Sequence, residues 1–112
     1  MPVDTLTPGT PMLFMGEGFR VHATSETTGG GFLIAEIASR PGGGPLHMHS
    51  HEAAEQYMCL DGEITVITGD RATVLGPLES TTIAPWAPHT YRNLGGRPAR
   101  LLCTLSPPHE ME

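Results

Sequence analysis

Glycine and proline interrupt this chain so often that a long helix has no room to form. Fourteen glycines and eleven prolines fall among 112 residues. Between them stand short runs in which apolar and polar residues alternate, the mark of half-buried strands. Phe19–Thr24, Phe32–Ala38, Glu63–Thr68 and Arg71–Leu75 read this way, and the β-branched Ile64-Thr65-Val66-Ile67 is the strongest strand signal. Gln56–Leu60, Leu78–Ala84, Thr90–Asn93 and Ala99–Leu105 add further strands, and Met12–Met15 is a short apolar run near the start. Asp61-Gly62, Gly69-Asp70 and Gly76-Pro77 supply tight turns. Ser25–Gly31 and Arg40–Pro45 are expected to be loops. Nine or ten short strands at close spacing predict an all-β chain folded as a closed double-sheet jelly roll or barrel.

Composition excludes several functions. The net charge is −6, and the cations are six arginines with no lysine. Phosphate backbones need clustered Lys and Arg, so no nucleic-acid partner is expected. Schiff-base and Walker-type chemistry both need Lys and are absent. Arginine without lysine, beside abundant Gly, Pro and Ala, fits a bacterial gene of high GC content. No apolar run approaches the ~20 residues that span a bilayer, and no leader-like segment opens the sequence, so a soluble cytoplasmic protein without a membrane partner is expected. Cys59 and Cys103 are too few for a disulfide framework and read as small buried hydrophobes.

The chemistry concentrates in residues 43–62. His47, His49 and His51 alternate, and in an extended strand alternate side chains share a face. Glu55 follows four residues after His51 and can bring a carboxylate to the same place. Neutral imidazoles with one carboxylate suit a single divalent transition metal: Fe, Mn, Ni, Cu or Zn. A later histidine, His89, follows Pro85-Trp86-Ala87-Pro88. By parity Glu55, Tyr57 and Cys59 share one strand face, and so do His89 and Tyr91. Tyr57 and Tyr91 therefore each can present a phenol near the metal. His22 lies on the polar face of its strand, and His109 lies in the polar tail; both are expected at the surface.

These residues resemble the cupin family. Its first motif has the form G-x5-H-x-H-x3,4-E-x6-G, which Gly43, His49, His51, Glu55 and Gly62 match in full. Its second has the form G-x5-P-x-G-x2-H-x3-N. His89 and Asn93 match it, but Ala84 replaces the proline, Trp86 replaces the glycine, and the upstream Gly76 stands eight residues before Ala84. The resemblance spans about Phe32 to Leu105. It implies a double-stranded β-helix, the cupin jelly-roll barrel, as one domain over residues 1–112. Within it, residues 1–17 form an N-terminal arm or edge strand, 32–105 the barrel core and 106–112 a polar tail.

Carried over by position, the metal ligands are His49, His51, Glu55 and His89. His47 and His49 form the alternative histidine pair, since Pro45-Leu46-His47 also looks like the lead into that motif, though Glu55 then follows at an unusually long spacing. The remaining histidine would face the same cavity and serve beside the ligands. Glu55, Tyr57 and Tyr91 are the candidate catalytic groups. The resemblance implies a metal-dependent dioxygenase acting on an oxygenated small molecule, flavonol-, catechol- or diketone-like. The alternatives are a non-redox isomerase or cyclase, and a non-catalytic small-molecule binder. A homodimer is expected, with Pro11–Met15 as a candidate to pack across the interface.

Overall fold

The computed structural model describes residues 11–14, 17–45 and 47–108. The arm before Pro11, Met15, Leu46 and His109 lie outside the described residues. Among the described residues, nine strands form two antiparallel sheets. The larger contains β1 (Pro11–Phe14), β2 (Glu17–Ala23), β3 (Leu33–Ser39), β4 (Ala54–Asp61), β7 (Ser80–Ile83) and β9 (Ala99–Ser106), in the order β1-β2-β3-β9-β4-β7. The smaller contains β5 (Ile64–Thr68), β6 (Arg71–Leu75) and β8 (His89–Arg92), in the order β6-β5-β8. This is the jelly roll that the strand pattern predicts.

Register carries the inward face across the larger sheet. Leu33, Ala35 and Ile37 of β3 stand opposite Leu105, Cys103 and Leu101 of β9. On the other side of β9, the same three residues stand opposite Glu55, Tyr57 and Cys59 of β4. All nine are buried, because a period-two pattern in correct register turns every apolar position to one face. Ile64, Val66, Leu75 and Tyr91 of the smaller sheet close onto Tyr57, Cys59, Ile83 and Leu101. The outer face is polar by the same parity: His22 is exposed and hydrogen-bonds Glu36, which also pairs with Arg100. Glu36 thus belongs to the outer face with Phe32 and Ile34.

Three local features differ from expectation. The regular strand expected over the three histidines is absent; His49 makes only an isolated antiparallel bridge to His89. The preceding loop turns through Gly42 and Gly44, whose φ values of 79° and 121° break any extended ladder. The Ser25–Gly31 loop contains one helical turn, α1 (Ser25–Thr28). Thr27 Oγ1 accepts from Thr24 N at 2.9 Å, and Gly29 stops the turn at φ 66°. The strand expected from Leu78 begins at Ser80, because Leu78 itself takes φ 68° in the turn. No helix among the described residues is long and apolar enough to cross a membrane.

Asn93, the last residue of the second motif, is a structural knot. It is fully buried. Its Nδ2 donates to Ser39 O at 3.0 Å and Arg97 O at 2.9 Å, and its Oδ1 accepts from Gly95 N at 3.0 Å. Its backbone bonds Gly42 and Gly43 at 2.7 and 3.0 Å. One amide therefore ties the loop after β3 to the loop after β8. Asn93→Ala leaves two carbonyls and one N–H without that partner, and is expected to cost about 2–4 kcal/mol. Urea unfolding measures this; an unchanged midpoint would reject the role.

Candidate metal centre

His49 and His51 belong to the irregular stretch before β4, Glu55 is the second residue of β4, and His89 opens β8. Backbone hydrogen bonds bring the two stretches together. His49 N donates to His89 O at 2.9 Å, His89 N returns to His49 O at 2.8 Å, and Trp86 N donates to His51 O at 2.7 Å. One ligand-capable atom from each of His49, His51, Glu55 and His89 then lies within 4.8 Å of all the others. Glu55 and His89 are buried, and His49 is the most accessible of the four.

Ring orientation is fixed from behind. His51 Nδ1 lies 2.8 Å from Ala53 O, and His89 Nδ1 lies 2.8 Å from Ala87 O. A neutral imidazole carries one N–H, and a carbonyl can only accept, so Nδ1 holds the hydrogen. Each Nε2 then turns a lone pair toward Glu55 Oε1, at 3.1 Å from His51 and 3.0 Å from His89. Lone pairs facing a carboxylate at that distance call for a cation between them. Two ligand atoms each ~2.1 Å from one ion stand ~3 Å apart when at right angles. The donor set therefore fits a divalent metal, and histidine N–H groups held by backbone carbonyls are the usual support for metal-ligating rings.

Electrostatics agree with a ligand role. Burial alone would raise the Glu55 pKa, but the His51 and His89 rings, which donate to the carboxylate when protonated, outweigh it and hold the carboxyl below its ordinary value. Burial, reinforced by neighbouring His89, lowers the His49 pKa, which keeps that ring neutral. Burial and then the Glu55 carboxylate push the Tyr57 phenol well up, so it stays protonated. The same two causes push up the Cys103 thiol.

Three of the four, His49, His51 and Glu55, line a cavity of about 380 Å³, and fully buried His89 stands beside them without lining it. Tyr57 and Tyr91 both line it, with ring centroids 6.0 Å apart, and Tyr57 stands 6.1 Å from His89. His47 is exposed and lines the cavity but stands outside the four-residue group. With no regular strand through this stretch, alternation does not extend back to it. Cys59 is buried in the core and does not line the cavity, whereas Cys103 does. Sequence reasoning passed over Cys103 as a wall residue, although parity with Leu101 and Leu105 marks it. It also missed Glu17, which lies between two glycines and carries no strand signal.

Comparison with known proteins gives the family. A family model described as "Cupin domain" matches residues 35–105. The chain belongs to the cupin family. No curated protein sequence matches it. Among solved structures, TT1209 from Thermus thermophilus is 32% identical, with 70% of this chain and 74% of that one covered at a TM-score of 0.65. A cupin 2 domain-containing protein from Halorhodospira halophila is 26% identical over 88% of this chain and 68% of the other, TM-score 0.73. An RmlC-like cupin from Shewanella frigidimarina shares the fold, with 17% identity, 96% and 94% coverage and a TM-score of 0.78.

The departures from the second cupin motif have a conformational explanation. Counting back from His89 through that motif places its two glycines at positions 78 and 86. Leu78 and Trp86 stand there, with φ 68° and 66°. They are the only non-glycine residues with positive φ among those described. The left-handed backbone of the motif is thus kept without its glycines, at about 1–2 kcal/mol per residue. Both side chains point largely into solvent, 74% and 62% exposed.

This geometry makes two expectations measurable. In untagged protein, His51→Ala or His89→Ala should weaken metal binding at least tenfold, whereas His47→Ala should leave it within about twofold. Elemental analysis and chelator competition measure this, and the reverse ranking would assign the pair to His47 and His49. Trp86→Gly should raise unfolding stability by about 0.5 kcal/mol, the relieved backbone strain less the entropy glycine adds to the unfolded chain. A loss measured by urea unfolding would contradict this.

Proposed function

We propose that this cupin is a metal-dependent dioxygenase acting on a small oxygenated molecule of the flavonol, catechol or diketone kind. One observation carries the reading: three imidazoles and a carboxylate converge, and His49, His51 and Glu55 of that group line a cavity that is otherwise largely apolar. Bound iron or copper would supply a place for substrate and dioxygen to meet, since four protein ligands of this kind leave a divalent cation one net positive charge and room for further oxygen ligands. Both atoms of dioxygen enter the product, so no external reductant is needed.

The chain's own groups orient and shield. Ala53 and Ala87 carbonyls hold the His51 and His89 rings in place. The Tyr57 phenol, kept protonated beside Glu55, can donate a hydrogen bond to a substrate oxygen. Leu33, Ile37, Phe19 and Leu105 line the cavity with hydrocarbon and exclude water from the apolar body of the substrate.

The test is oxygen uptake by untagged protein loaded with Fe(II) or Cu(II), over a panel of flavonols, catechols and β-diketones. We expect uptake matched by product formation with at least one class, falling to background in His89→Ala. A metal-replete sample that consumes no oxygen with any of them would defeat the dioxygenase reading. Turnover of the same panel with Zn or Ni and no oxygen would establish an isomerase or cyclase in its place.

A further inference from the structure

A second buried carboxylate faces the same cavity. Glu17, at the start of β2, is 4% exposed, and Tyr91 of β8 is 5% exposed. Glu17 Oε1 accepts from Ser39 Oγ at 2.5 Å and from the Tyr91 hydroxyl at 3.3 Å, and Oε2 accepts from Arg40 N at 3.2 Å. Both residues line the cavity. The group is built rather than incidental. A Cβ at position 43 would come within 2.6 and 2.8 Å of the two Glu17 oxygens, so only glycine lets the carboxylate sit there. A buried carboxylate is costly unless donors compensate it. Its donors reach both oxygens, and Glu17 is nevertheless one of the residues that line the cavity.

The walls near it are apolar. Among the described residues, the polar side chains lining the cavity are His47, His49, His51, Glu55 and Tyr57 on one hand and the hydrogen-bonded Glu17–Tyr91 pair on the other. A ring ladder connects them, His89 to Tyr57 at 6.1 Å and Tyr57 to Tyr91 at 6.0 Å. An apolar cavity of about 150 Å³ holds one benzene. The 380 Å³ here thus suits a one- or two-ring body with a polar group at each end.

We propose that Glu17 and Tyr91 bind a hydroxyl group of a ligand whose other oxygens meet the His49–His51–Glu55–His89 group. The hydroxyl donates to a Glu17 oxygen in place of the Tyr91 O–H, which turns from Glu17 to donate to the ligand oxygen. The ligand class is a small cyclic molecule with a chelating oxygen pair at one end and a free hydroxyl at the other. The proposal rests on the metal reading of the four-residue group for the chelating end only.

Matched probes test it. Kojic acid and allomaltol are hydroxypyranones that differ only in a distal hydroxyl, and 3,4-dihydroxybenzyl alcohol and 4-methylcatechol form a second such pair of different shape. Titration calorimetry on zinc-loaded protein should show the hydroxyl-bearing member of at least one pair binding about tenfold tighter, as expected for a buried hydrogen bond to a carboxylate. Tyr91→Phe and Glu17→Gln should each reduce that preference to about twofold or less. Tyr91→Phe keeps the Ser39 and Arg40 contacts of Glu17, so it remains informative if Glu17→Gln does not fold. Equal binding within both pairs, or a preference that survives Tyr91→Phe, overturns the assignment. A hydroxyl preference that persists in His89→Ala, without metal dependence, supports the pair and defeats the metal reading. Absence of binding by all four probes defeats both.

Discussion

Two reciprocal backbone hydrogen bonds between His49 and His89 are the constraint on which the rest of the molecule turns. They join a stretch ahead of the larger sheet to the first residue of a strand in the smaller one. They bring together Glu55 and His89, which are 34 residues apart and belong to separate sheets. Hydrophobic contact is non-directional and tolerates displacement of the kind a ligand set cannot. Hydrogen bonds at 2.8 and 2.9 Å fix position and direction together. Trp86 N to His51 O adds a third tie, so both histidines of the first stretch are locked to the segment that delivers His89.

That lock explains what was legible in the sequence. Strands were legible wherever parity of burial governed them, as in Ala99–Ser106, whose buried residues fall at alternate places. Glu55 and Tyr57 could be placed on one inward face by the same rule. The histidine stretch obeyed a different constraint. Its conformation is set by the glycines before it and by bonds to a segment far along the chain, so strand parity did not describe it, and His47 fell outside the group. The short helical turn at Ser25 rests on hydrogen bonds among Thr24, Thr27 and Thr28, too local and too brief to register in hydrophobic patterning. Leu78 and Trp86 were illegible for another reason: the backbone conformation persisted while the residue type that usually signals it did not.

Burying so many polar groups in a small β-sandwich works against stability, and the structure limits the cost by letting one group serve several partners. Glu55 Oε1 stands within 3.1 Å of two histidine rings, Glu17 Oε1 accepts from a serine and a tyrosine, and Asn93 serves three backbone groups. No buried side-chain nitrogen or oxygen among the described residues lacks a partner. Full satisfaction makes a polar interior rigid, because moving any member unpairs another. Such an interior suits a site whose ligand atoms must be ready before anything binds.

The two polar places of the cavity also differ in origin. His49, His51, Glu55, His89 and Tyr91 all lie within the segment that matches the family, residues 35–105, and Glu17 lies before it. Glu17 reaches the cavity only because β2 pairs with β3, placing the start of β2 beside the end of β3, where Gly18 stands opposite Ala38. The carboxylate is then received by Ser39, Arg40 and Gly43, the last of which opens the first cupin motif. One glycine thus begins the segment that carries the metal ligands and makes room for a group from outside it. A barrel built this way can keep its four-ligand set constant and vary what faces it through the strand that precedes the family segment. A change at position 17 would alter the far end of the cavity without moving His49 from His89.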